Sequence, residues 1–100
     1  MTVNDVIKNE DIEEFKNTVE EFKELQETEY SKAFYLHKKA LIQYDRWSYI
    51  LFLIKKSNSA RGANSDIKER VKQVLEILNN IYLNARMVWN RGKEDSLKDR

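Results

Sequence analysis

Gln26-Glu27-Thr28-Glu29-Tyr30-Ser31 is the stretch that decides the fold. Upstream of it, Ile12, Phe15, Val19 and Phe22 fall at steps of three and four, the spacing of one helical face. Downstream the same phase resumes at Ala33, Leu36, Ala40, Gln43, Trp47, Ile50 and Ile54. If the helix runs through, residues 11–56 form a rod of about 65–70 Å at 1.5 Å per residue. If Glu27 to Ser31 is a turn, with Thr28 capping the next helix, residues 10–26 fold back and complete a three-helix bundle. There is no Gly or Pro to mark a turn, and the apolar phase survives the interruption. The expectation is therefore a continuous helix over residues 11–56. The alternative is a monomeric three-helix bundle with a break near residues 27–31.

A second stripe follows at Ile67, Val71, Val74, Leu78, Ile81, Ala85 and Val88. Between the stripes, residues 57–65 collect small and polar side chains with the first Gly, and Asp66 with Glu69 makes a capping pair. The chain is expected to reverse there into a second helix over residues 66–91. Setting Lys56 opposite Asp66 brings Val74 near Ser48, Ile81 near Leu41 and Trp89 near Ala33. Gly92 is read as a C-terminal cap flanked by Arg91 and Lys93. Residues 1–9 and 93–100 are expected to fray, although Thr2 with Asp5, or Asn9 followed by Glu10 and Asp11, offer helix starts. The fold class is all-α: a long antiparallel hairpin forming a single domain over residues 1–100.

One hundred residues bury only about 60–70% of their unfolded surface as a lone domain. In the rod arrangement the first half of the long helix has no partner within the chain, so the hairpin should associate as a coiled-coil-like oligomer, most simply a dimer. The six apolar residues 49–54 wrap a helix on all sides and one neighbouring helix cannot cover them, so they read either as the centre of a three-helix core or as an oligomer or partner-protein interface. Phe15, Val19 and Phe22 on the first arm, and Trp47, Ile50 and Leu51 near the turn, are the expected anchors of a protein interface.

Charge is segregated. Residues 1–29 hold ten acids against three bases, for −7; residues 30–62 hold seven bases against Asp45, for +6; residues 63–100 hold eight bases against six acids, for +2. An acidic arm beside basic surface steers association. With 41% hydrophobic and 35% charged residues, the chain is too apolar for disorder and too charged for a membrane protein. No apolar run approaches the ~18 residues of a membrane span, and a cytoplasmic location is the expectation.

Chemistry is sparse. The absence of Cys removes disulfides, thiolate catalysis and zinc knuckles. His37 is the sole histidine, has no acid three or four residues away to orient it, and is read as a solvent or interface residue. The Glu-rich first helix lacks the Glu-x-x-His pairs of a bundle di-iron site. No catalytic, metal-binding or cofactor-binding residues are assigned, and neither an enzymatic activity nor a small-molecule substrate is expected.

The reading is a protein-binding adaptor, scaffold or inhibitor that pairs with itself and with another protein. A less favoured reading is sequence-independent nucleic-acid binding through Lys55, Lys56 and Arg61 at the hairpin tip, where bases mix with Tyr44, Arg46, Trp47 and Tyr49. Arg86, Trp89, Arg91 and Lys93 form a second basic-aromatic group.

Overall fold

The computed structural model describes residues 7–57 and 65–98. Three helices account for almost all of them: α1 (Asn9–Glu24), α2 (Tyr30–Ser57) and α3 (Ser65–Lys98). The described residues contain no strand. The molecule measures 60 × 20 × 16 Å, its length set by α3.

The all-α class holds, and the arrangement is the three-helix alternative; the continuous helix over residues 11–56 does not form. Residue 25 leaves helical geometry, with Leu25 at φ −67° and ψ 126°, and its N–H bonds the Phe22 carbonyl at 3.2 Å. Without Gly or Pro, the break over residues 25–29 is held by a reciprocal exchange. The Glu29 carboxylate accepts the Gln26 N–H at 2.8 Å, and the Gln26 carbonyl accepts the Glu29 N–H at 3.1 Å. Glu29, not Thr28, occupies the capping position, its carbonyl taking the Ala33 N–H at 3.0 Å. Folding back covers the apolar side of α1, which a rod would leave to solvent.

α2 and α3 run antiparallel and carry the core. Ala33, Leu36, Ala40, Trp47, Ile50 and Ile54 from α2 meet Val71, Leu78, Ile81 and Ala85 from α3. Each large aliphatic side chain so buried contributes about 1.5–3 kcal/mol, and the alanines let the helix axes approach. α1 adds a thinner layer, with Phe15, Val19, Phe22 and Leu25 half-buried against the hairpin. Thr18 is its one fully covered residue, and its hydroxyl accepts a 2.7 Å hydrogen bond from Gln43 Nε2.

The hairpin register agrees with the sequence-based pairing: the alignment that sets Lys56 opposite Asp66 also sets Tyr30 opposite Gly92, and those two touch. Trp89 lies one turn from the expected contact, on Phe34 and His37 at centroid distances of 4.8 and 5.3 Å. Two terminal expectations are corrected. Gly92 is not a cap: α3 continues to Lys98, so residues 93–98 are helical and not frayed. Gly92 is instead the site where α3 backbone meets the Tyr30 ring. At the other end α1 begins at Asn9, after Lys8 in extended geometry, whose N–H donates to Asp11 at 3.0 Å. The reversal at residues 57–65, Arg61 included, and the Thr2–Asp5 start lie wholly or largely outside the described residues.

Candidate interaction surface

The six expected anchors come together, but inside this one chain. Trp47 and Ile50 are 4% and 0% exposed. Phe15 meets Trp47 edge-to-face at 6.2 Å, and Val19, Phe22 and Leu51 are half-buried against the same core. Their apolar area is spent on the fold. Of the run at residues 49–54, Ile50 and Ile54 enter the core, whereas Tyr49 and Phe52 face solvent at 54% and 56% exposure.

The exposed apolar surface is concentrated elsewhere on α2. Tyr35, Ile42 and Tyr49 recur every seven residues, all more than half exposed, with Leu41 and Phe52 beside them. Seven residues is close to two turns, so these side chains share one ridge. At 100° per residue that ridge lies opposite Ala33, Ala40 and Trp47, hence opposite the core. Lys38, Asp45 and Lys56 stand on the same ridge and are exposed. Sequence reading missed it because it followed the buried stripe; the seven-residue spacing of Tyr35, Ile42 and Tyr49 was the available signal.

The acidic arm finds its basic surface within the chain. Lys39 Nζ contacts Glu21 at 2.9 Å, and Arg46 holds both oxygens of Asp11 at 3.1 Å. Burial by itself would raise the Asp11 carboxyl, but hydrogen bonds from Arg46 and from the Lys8 N–H, with the guanidinium charge, hold it below its ordinary value. At the break, the Lys32 ammonium and the Gln26 N–H hold the Glu29 carboxyl down.

A second cluster lies near the start of α2. His37, read from sequence as a solvent or interface residue, is buried at 9% exposure, stacked on Trp89 with a 13° interplanar angle. Phe34 and Tyr82 complete the group at 5.3 and 5.8 Å from the imidazole. Three cations sit on its rings: Lys38 on Phe34 at 4.5 Å, Lys93 on Trp89 at 4.0 Å, and Arg86 on Tyr82 at 5.9 Å. The Trp89 ring already carries His37, Phe34 and Lys93, which leaves little of it for a stacking base. Of the other proposed nucleic-acid contacts, Lys55 and Lys56 are exposed at the end of α2, while Trp47 is core and Arg46 is tied to Asp11.

Among the described residues no group of three His, Asp or Glu side chains is placed to hold a metal ion, and no helix is long and apolar enough to cross a membrane. Open grooves run along α1, one of about 290 Å³ floored by Leu25 and Leu36 and walled by Glu21, Glu24, Lys32 and Lys39, and another of about 530 Å³ beside Glu14, Thr18, Ile42 and Gln43. Their mixed, solvent-facing charges do not converge on a reacting atom. Compared with protein-family models, with curated proteins and with solved structures, the chain matches none.

Proposed function

We propose that the protein is a non-enzymatic interaction module, an adaptor, scaffold or inhibitor, that receives a partner helix on the outward ridge of α2. One observation carries this reading: Tyr35, Ile42, Tyr49 and Phe52 stay 54–69% exposed on the side of α2 turned away from the core of the described residues. Leaving large apolar groups in water at regular helical spacing is unfavourable unless another surface covers them. Helix-against-helix docking uses anchors at this spacing. The single histidine is buried among rings, which supports a binding role over a catalytic one.

The test is a photo-cross-linking amino acid at Tyr49, with a control at Asn79 on the exposed side of α3. Cross-links to protein from Tyr49 but not from Asn79 are expected. Cross-links only to nucleic acid would favour the alternative reading, and none at either position would overturn docking on this ridge.

A further inference from the structure

We infer that the partner on the α2 ridge is a second copy of this chain, packed antiparallel about a two-fold axis beside Ile42. This rests on the docking reading above and adds the identity and orientation of the occupant.

The ridge is nearly symmetric about that point. Tyr35 and Tyr49 stand seven residues before and after Ile42, and Lys38 and Asp45 flank the pair Leu41 and Ile42. In an antiparallel pair centred there, Leu41 and Ile42 of both copies meet on the axis. Tyr35 of one copy faces Tyr49 of the other. Lys38 faces Asp45, twice by symmetry. Asp45 is the one acid in residues 30–57, so its placement on the ridge at the position that meets Lys38 is informative.

A parallel pair would instead set Lys38, Asp45 and Lys56 each against its own twin, three like-charge contacts. The areas also fit. Three rings more than half exposed per copy offer on the order of 100 Å² each. With Leu41 and Ile42 the two copies bury on the order of 1,000 Å², the low end for a specific interface and the size of a reversible dimer.

Sedimentation equilibrium over a concentration series should show a reversible monomer–dimer exchange. Ile42→Asp should weaken dimerisation roughly tenfold or more while helical circular dichroism is kept, because the site lies opposite the core. Lys38→Asp and Asp45→Lys should each weaken it, and the double exchange should restore it. Orientation is read by cross-linking, since the natural chain has no Cys. Ile42→Cys should oxidise to a covalent dimer. Tyr35→Cys alone should not, since each copy lies about 10 Å from the axis on opposite sides and the twins are about 20 Å apart; mixed with Tyr49→Cys it should. A wild-type mass that stays monomeric throughout, or Tyr35→Cys self-linking as readily as Ile42→Cys, would overturn the proposal. If the photo-label at Tyr49 reaches a different protein while the wild type stays monomeric, self-pairing fails and ridge docking stands; if it reaches nothing, both fail.

Discussion

Gly92 lies flush against Tyr30: a β-carbon added to the glycine would come within 2.7 Å of Tyr30 Cβ and 2.8 Å of its Cδ1. The contact joins the first turn of α2 to the last third of α3 and closes the hairpin at the end away from its reversal. In an open helix Gly→Ala is stabilising by about 1 kcal/mol. Here it should be destabilising by about 1–3 kcal/mol, since the ring attaches to the helix at the clashing atoms and cannot swing clear. Urea unfolding of Gly92→Ala, and of Gly92→Ala with Tyr30→Ala, provides the measurement. The second change should recover part of the loss, and a stabilised single variant would contradict the packing.

Gln43 and Thr18 form a buried polar link between α1 and α2, donor to acceptor at 2.7 Å, with Gln43 Oε1 buried and unpartnered. Thr18→Ala should cost about 1–3 kcal/mol, because the amide N–H is then also left unpaired in a covered site. Removing both partners together, with Thr18→Val and Gln43→Leu, should be close to neutral. A double-mutant cycle by chemical denaturation that found additive effects would mean the bond contributes nothing.

These two contacts also mark where the sequence stopped being legible. The stripes from Ala33 to Ile54 and from Ile67 to Val88 forecast the α2–α3 core, and the pairing of Lys56 with Asp66 forecast its register well enough to bring Tyr30 to Gly92. The break at residues 25–29 was hidden because its capping is done by Gln26 and Glu29, polar residues equally at home in a helix, and because the heptad phase passes through it unchanged. Gly92 carries one signal for two uses, helix stop and close approach, and only packing distinguishes them. Phe15, Val19 and Phe22 were legible as apolar anchors, but what covers them depended on that hidden turn. His37 was misread because its ring partners Tyr82 and Trp89 lie more than forty residues away in sequence.

His37 suggests a stabilising change. Its Nδ1 is shut off from solvent and has no hydrogen-bond partner, while its ring stacks on Trp89. His37→Phe keeps a planar ring in the cluster and deletes the buried polar atom, so it should raise stability by about 1 kcal/mol. His37→Ala, which opens a void beside Trp89, should lower it by roughly 2 kcal/mol or more. Thermal and urea midpoints of the two variants decide the matter; equal losses in both would show that the imidazole nitrogen makes a contact the phenyl ring cannot replace.

The pH response of the α1 latch follows from Asp11 and Arg46. The folded chain holds Asp11 below its ordinary value of 3.8, through Arg46 and the Lys8 N–H acting against burial. A carboxyl depressed by folding binds its proton more readily in the unfolded chain. Its stabilising contribution is therefore fully present above about pH 5 and fades as pH falls through the folded-state pKa. Asp11→Asn should cost about 1 kcal/mol near neutral pH, a modest figure because the Arg46 side chain is 35% exposed and partly screened. The gap between variant and wild type should narrow steadily from about pH 5 downward as both forms become uncharged at that site. High salt should narrow it as well, though less than for a fully exposed pair. Urea midpoints of both proteins at pH 7, 4 and 3 test this. A gap that is absent at pH 7, or that widens in acid, would mean that α1 is held by its apolar contacts and the Gln43–Thr18 bond, with Arg46 contributing nothing through Asp11.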